Sequence, residues 1–393
     1  MNYNLSKIEI SKENIAYNLK NIKGLLKPKT RMMVVVKSNA YGHGLVEFAK
    51  EAVRNKADYL GVVNIDEAIK LREAKIIKPI MVLGYVPQKA IVLAAKNFIN
   101  VCIVSAEHAI EIINTKYEGK LKVHLKVETG INRMGIPANQ VLQVYKELSR
   151  YKKIEIVGIY SHLASVEESN IDYTGEQFRQ FANIIKTLEK YNIKIPIKHI
   201  AASGAVLVYP ESHFDMVRVG IASYGLWPSE DNKNSFFDDA DIDIKKPFLK
   251  PVLSYKTQII QAKDVSSGYI GYGCTCRITK TMKIGIIPVG YFEGVDRGLS
   301  CSSKKTTDTE RSGCGEVLVD GVRCPIVGRI CMNMSIVDMS KIKNQKSKTG
   351  EEVVMIGKQG KEEITADEIA RKIDTINYEI VSRIPEHIPR EYI

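Results

Sequence analysis

The amino-acid sequence predicts an α/β fold: a (β/α)8, TIM-like barrel followed by a mostly β C-terminal domain. Three observations lead there. Eight short apolar runs rich in Val and Ile recur between residues 32 and 221, most without the polar alternation of a half-exposed strand. Longer amphipathic stretches separate them, as helices between parallel strands would. After about residue 245 the pattern changes to short strand-like segments punctuated by turn residues.

The eight runs are 32–36, 59–63, 80–83, 101–104, 121–127, 154–160, 197–201 and 216–221. Between them, 65–75 sets Ile65, Ala68, Ile69 and Leu71 on one side, and 107–115 follows the same spacing. So does 175–191, with Phe178, Phe181, Ile185 and Leu188. An open doubly wound sheet is the alternative, but it usually has fewer strands and a glycine-rich first turn, and no G-x-G-x-x-G follows the first run. Beyond 245 the predicted strands are 253–262, 282–289, 315–319, 324–334 and 352–356. Ser267-Gly268, Asp320-Gly321 and Thr349-Gly350 supply turns. A final helix is predicted from Thr365 to about Ser382, because Glu368 stands three residues after Thr365 as in a capping box. Residues 301–313 are polar and read as an exposed loop. The domain division is 8–243 for the barrel and 244–393, with 1–7, for the β domain.

A chain of 393 residues exceeds one ordinary core, and 45% hydrophobic with 26% charged residues is a globular balance. The net charge of +12 raises the question of nucleic acid, yet the lysines are scattered and lack interleaved aromatics, so no nucleic-acid partner is expected. Residues 1–11 hold no apolar run and nowhere do 18 apolar residues follow one another. No secretory signal and no membrane partner are therefore expected, and the location predicted is cytoplasmic. The seven cysteines read as reduced thiols. Cys274 and Cys276 stand closer than the usual zinc pair and no histidine pair follows, so no metal is expected.

In such a barrel the reactive groups lie at the C-terminal ends of the strands. Those positions hold Lys37, then Lys126, Glu128 and Arg133, then Ser161-His162, Ser203-Gly204, and Arg218 with Gly220-Ile221. This electropositive mouth suits an anionic ligand. Lys37 directly follows Met-Met-Val-Val-Val, and an apolar setting lowers an amine pKa and makes it a usable nucleophile or base. The bland alternative is a lysine reaching into solvent. Gly42 and Gly44 flank His43 and allow close backbone approach, leaving Tyr41 available to a phosphate oxygen. Ser203-Gly204 and Gly220-Ile221 fit a barrel phosphate site, although alone they read as turns. His108, His213 and Trp227 read as packing or surface residues, and Cys331 as a small buried filler.

These residues fall in blocks that resemble the alanine racemase family. Val35-Val36-Lys37-Ser38-Asn39-Ala40-Tyr41-Gly42-His43-Gly44 is similar to its pyridoxal-phosphate attachment motif. Lys126-Val127-Glu128-Thr129-Gly130-Ile131-Asn132-Arg133-Met134-Gly135, Ser161-His162-Leu163-Ala164 and Val217-Arg218-Val219-Gly220-Ile221 continue the match. Gly271-Tyr272-Gly273, Ile287-Pro288-Val289-Gly290-Tyr291 and Pro325-Ile326-Val327-Gly328-Arg329-Ile330-Cys331-Met332 complete it in the family's order. The resemblance implies a pyridoxal 5'-phosphate enzyme that interconverts L- and D-alanine, supplies D-alanine for cell-wall peptidoglycan, and works as a head-to-tail homodimer with shared active sites. It makes Lys37 the cofactor's covalent attachment point and Lys37 and Tyr272 the two catalytic bases, with His162 and Arg218 as their relay. Tyr41, Ser203, Gly220, Ile221 and Tyr392 would bind the phosphate, Arg218 would face the pyridine nitrogen, and Arg133 the phenolic oxygen. Arg133, Tyr291 and Met332 would meet the small amino-acid substrate, and Lys126 would be carbamylated. Two departures bear on the substrate: Asn333 stands where many relatives have Asp, and Glu386 where some have a pocket-narrowing tyrosine. They keep a serine or broad-specificity racemase as the alternative. A barrel-type decarboxylase is weighed against by Arg218, since those enzymes place an acid opposite the pyridine nitrogen.

Overall fold

The computed structural model describes residues 4–239, 247–301, 314–342 and 348–393. The predicted loop at 301–313, beyond Cys301 itself, and the predicted boundary at 243/244 lie outside them. The chain divides into two compact units: residues 13–40 with 45–251, and residues 1–12 with 41–44 and 252–393.

The first unit is the barrel. After β1 (Lys7–Ile10), which belongs to the other unit, come β2 (Arg31–Val35), β3 (Tyr59–Val62), β4 (Ile80–Val82) and β5 (Ile99–Ile103). They are followed by β6 (Leu121–Lys126), β7 (Ile154–Tyr160), β8 (Ile197–His199) and β9 (Met216–Val219). The eight form one sheet in the order β8-β7-β6-β5-β4-β3-β2-β9, with every ladder parallel. The seam between β8 and β9 is crossed by backbone bonds from Asp215 N to Lys198 O (3.1 Å) and from Arg218 N to Ala201 O (3.0 Å), so the sheet nearly closes. Each of the eight predicted runs is a strand, because both faces are covered: Met32, Met33, Val34, Leu60, Ile80, Val101, Val123 and Val217 are all fully buried.

The connecting helices follow the expected spacing. Ile65–Glu73 opens on Asn64, whose side chain accepts from Glu67 N, and Ala106–Ile113 opens on Ser105, which accepts from His108 N. Asp172–Lys190 buries Phe181, Ile184, Ile185 and Leu188 against the sheet. Tyr224, fully buried, donates to Val35 O at 2.9 Å and packs its ring, tilted by 30°, against Phe48, which pins the C-terminal end of β2. His108 and His213 bond backbone carbonyls of Val86 and Val206, packing roles as expected.

One glycine in the barrel is dictated by its neighbour. Gly158 on β7 lies opposite His124 on β6, and a Cβ there would come within 2.0 Å of the imidazole Nδ1. Gly158→Ala is expected to push that ring aside and cost about 1–3 kcal/mol by overpacking. Urea midpoints of the two proteins check it; an unchanged midpoint would refute it.

The second unit is built on a larger sheet whose path runs 322–325, 316–319, 352–359, 253–258, β1 and 390–392, with 362–364 paired to 352–359. β1 runs antiparallel to Leu253–Gln258 and parallel to Arg390–Tyr392, so both ends of the chain are sewn into this sheet. A three-stranded sheet orders Gln261–Val265, Met282–Ile287 and Ser335–Asp338. Several predicted elements are subdivided here. The run 253–262 is two strands in different sheets, and the final helix is two, Ala366–Lys372 and Asn377–Ser382. Thr365 caps the first by accepting from Glu368 N at 3.0 Å, as expected, but Asp374 adopts φ 56° and breaks the continuation. The expectation of reduced thiols holds for Cys102, Cys274, Cys276, Cys324 and Cys331 but is corrected for one pair: Cys301 and Cys314 form a disulfide with Cα atoms 5.0 Å apart. Backbone bonds from Gly315 N to Leu299 O and from Cys301 N to Gly328 O bring the two ends of that segment together, a proximity no spacing reveals.

Candidate active site

The barrel unit gathers its polar residues where the strands end. Lys37 follows β2, Lys126 closes β6, His162 follows β7, Ser203 follows β8, and Arg218 lies in β9 just before Gly220 and Ile221. Lys37 is half-buried, and burial together with the positive charge of Arg133 lowers its amine below the usual lysine range, with Glu67 acting the other way. The backbone behind it is unusual. Ser38, Asn39, Ala40 and Tyr41 take φ of 56°, 54°, 52° and 52°, a left-handed stretch without glycine. Such residues cost about 1–2 kcal/mol each, so the surrounding bonds must hold them.

Arg218 is buried, and its guanidinium donates to Ser161 O (2.8 Å), Ile200 O (2.9 Å), His199 Nδ1 (2.9 Å) and His162 Nδ1 (3.2 Å). Burial pulls it down to about 10, still a cation at neutral pH. Arginine can only donate, so both imidazoles accept at Nδ1 and carry their proton on Nε2. The hydrogen-bonded chain continues inward: His199 Nε2 stands 3.1 Å from His124 Nδ1, which makes His124 another Nε2–H tautomer. Tyr160 stacks face to face on His199, with ring centroids 4.8 Å apart, and lies under Arg218. Burial, then the nearby Arg218, lowers all three histidines, His124 to about 3.

That arrangement has a consequence for stability. A base whose folded pKa is lowered binds protons more readily when unfolded. Its stabilisation is complete above the ordinary histidine value of about 6.5 and is lost as pH falls from there toward the folded value. Each pH unit inside the window removes about 1.4 kcal/mol per histidine. The urea midpoint is therefore expected to drop steadily below pH 6.5; a profile flat to pH 4 would contradict it.

Ser203 begins the helix Ser203–Val208, and its Oγ accepts from Gly220 N (2.9 Å) and Ala222 N (3.3 Å), which ties the ends of β8 and β9 into one cradle. A Cβ on Gly204 would fall 2.8 Å from Asn232 Oδ1, so only glycine leaves the backbone this close. Lys126 is buried, and burial lowers its amine, with Arg133 and Arg218 adding to the effect. Arg133 is exposed on a turn organised by Glu128, whose carboxylate accepts from Gly130 N (2.5 Å) and Arg133 N (3.3 Å). A lowered amine, a hydroxyl-and-glycine cradle and a buried guanidinium are the donor set that an aldehyde-bearing aromatic phosphate requires. The residues fit pyridoxal phosphate.

The β unit holds the remaining candidates. Tyr272 sits in the turn 271–274, where Gly271 and Gly273 take φ 71° and 73°, and is 68% exposed. Tyr291, Phe292, Met332 and Met334 are also exposed, and Phe292 N bonds Met332 O at 2.9 Å. Asn333 Nδ2 donates to Glu293 Oε1 (2.8 Å), while Glu293 Oε2 accepts from Gly290 N (2.9 Å), so the two turns form one rigid edge. Cys331, expected as a buried filler, is half-exposed there. Tyr41 is buried near Tyr378, and Tyr392 donates to His43 O at 2.9 Å, holding the segment 41–44. Glu386 is exposed. Sequence reasoning missed His124, His199, Tyr160 and Glu67; only the alternation of His124 with Lys126, and Tyr160 before Ser161-His162, hinted that these side chains share the barrel interior.

A parallel barrel with a lowered lysine amine and a hydroxyl-and-glycine cradle at its strand ends, continued by a β unit, fits the class of pyridoxal-phosphate enzymes. Residues 10–228 match the family model described as alanine racemase, N-terminal domain, and 252–392 that of alanine racemase, C-terminal domain. The chain belongs to the alanine racemase family. It is 38% identical to the alanine racemase of Methanococcus maripaludis over 389 residues, covering 98% of each chain. It is also similar to solved alanine racemases. That of Clostridium difficile has a TM-score of 0.88 at 33% identity, covering 100% of this chain and 97% of that one. That of Bacillus anthracis, solved with bound L-Ala-P, has a TM-score of 0.86 at 32% identity, covering 100% and 96%. These relatives carry the name alanine racemase; they do not favour the serine, broad-specificity or decarboxylase alternatives.

Proposed function

We propose that this chain is a pyridoxal-phosphate-dependent racemase that interconverts L- and D-alanine, with Lys37 and Tyr272 as its two bases. The observation that carries it is a lysine amine lowered by burial at the strand ends of a parallel barrel, in a chain whose full-length relatives are alanine racemases. Lys37 would hold the cofactor covalently, Ser203, Gly220 and Ile221 its phosphate, with Tyr41 and Tyr392, and Arg218 its ring nitrogen. Arg133 would face the phenolic oxygen.

Bound pyridoxal phosphate supplies an electron sink that acidifies the α-hydrogen of an attached amino acid. Inversion then needs a base on each face of the planar carbon. Lys37 Nζ, neutral at lower pH than an ordinary lysine, takes or returns the proton on one face. Tyr272 Oη does so on the other. His162 can assist it, because Arg218 occupies Nδ1 and leaves an Nε2–H to donate to the tyrosine oxygen. Arg218 does not release its proton in function, so it would donate to the ring nitrogen without protonating it.

Lys126 fits carbamylation. Its lowered amine can add to carbon dioxide, forming an N–C bond and losing a proton to water, and the new carboxylate would pair with Arg133. Tyr272, Tyr291 and Met332 are large side chains left exposed on the β unit, of the kind that another chain covers. A second copy in a head-to-tail homodimer suits it, and Tyr291 and Met332 would then meet the substrate beside Arg133. Among the described residues no helix is long and apolar enough to cross a membrane. We place the enzyme in the cytoplasm, making D-alanine for peptidoglycan. Incubation of an amino-acid panel with the holoenzyme, read by chiral chromatography, tests the reading: alanine racemised well ahead of serine supports it, and no inversion of alanine overturns it.

A further inference from the structure

The left-handed stretch behind Lys37 needs an anchor. Part of it is local: Ala40 N bonds Val36 O at 2.9 Å, and Asn39 Oδ1 accepts from Leu45 N at 2.9 Å. A side chain from the next strand's loop supplies the rest. Glu67, in the first turn of the helix Ile65–Glu73, places Oε1 2.6 Å from Ser38 N and 3.4 Å from Asn39 N. Its Oε2 accepts from Val63 N at 3.0 Å. One carboxylate therefore ties the end of β3 to the backbone leaving β2, using charge-assisted bonds at both oxygens. Its own backbone is fixed in turn, since Glu67 N donates to Asn64 Oδ1 at 2.9 Å. The same negative charge acts on the Lys37 amine against Arg133.

We propose that Glu67 is a positioning residue for Lys37: by accepting from Ser38 and Asn39 it holds the left-handed exit from β2 and so fixes where the Lys37 amine is presented. The proposal rests on Lys37 being the cofactor lysine. Neither the capping role of Asn64 nor the apolar face of this helix requires a carboxylate at position 67, so the residue is free of those packing duties.

The test compares wild-type, Glu67→Gln and Glu67→Asp holoenzymes. Gln keeps the size but replaces one acceptor oxygen by a donor, so it can serve only one of the two strand ends. Amide exchange at residues 38–39 is expected to quicken about tenfold in Glu67→Gln. Its kcat should fall about tenfold to a hundredfold, with KM nearly unchanged. Losing the charge also moves the pH at which the bound cofactor's absorption titrates to a lower value. Glu67→Asp keeps the charge but falls short in reach, so its absorption titration should return toward wild type while exchange stays fast. Unchanged exchange and kcat in Glu67→Gln overturn the proposal. Loss of cooperative unfolding in both variants overturns it too, since Glu67 would then be a fold residue. Failure of the wild-type protein to hold cofactor on Lys37 would sink the underlying reading instead, and the exchange measurement, which needs no cofactor chemistry, tells the two failures apart.

Discussion

Lys37→Ala is expected to lose racemisation entirely and to lose its hold on the cofactor, because on the proposed reading one side chain serves as both attachment point and base. Removing a residue with two such roles costs on the order of 10⁴-fold or more in kcat. Gel filtration followed by absorption spectroscopy should find the cofactor separated from the variant and retained by the wild type. A variant that keeps the cofactor through filtration and still racemises alanine would remove Lys37 from the mechanism. Tyr272→Phe should behave differently. General acid–base catalysis contributes about 10²–10⁴-fold, so inversion falls by that factor in both directions, since each direction needs both bases. Lys37 remains able to remove and return a proton on its own face. Exchange of the α-hydrogen with deuterated solvent should therefore persist for one enantiomer without inversion.

Mixing these two inactive chains is expected to restore activity. If Tyr272 of one copy serves the barrel of the other, a hybrid dimer has one barrel with Lys37 facing an intact Tyr272 and one barrel lacking both. Random reassociation makes half the dimers hybrids, each with one working site of two, so the recovered activity is about one quarter of wild type. The exposure of Tyr272 on the β unit motivates the experiment. No recovery after subunit exchange, verified by mass spectrometry of the mixed dimers, would mean that both bases come from the same chain.

Much of this site could be read from residue order. Lys37 announces itself because a cation directly after five apolar residues can only stand at the end of a buried strand. Ser203 and Gly220 follow from the same strand-end logic. Glu67 could not be found that way, since a glutamate in the first turn of a helix usually serves the helix dipole or solvent. His124 and His199 were equally silent: a histidine in an apolar run shows neither its tautomer nor its partner. Arg218 sets both, by donating where only an acceptor can sit.

By itself the sequence determined the number and order of barrel strands, because strands covered on both faces read as predominantly apolar runs with few polar interruptions. It also determined which strand ends carry charge. Tertiary structure alone decided that β1 and Arg390–Tyr392 join Leu253–Gln258 in one sheet, since pairing partners hundreds of residues apart leave no local trace. It alone decided the left-handed turn as well. Ser-Asn-Ala is at home in ordinary right-handed backbone, and only bonds from distant residues such as Glu67 make the costlier conformation the stable one.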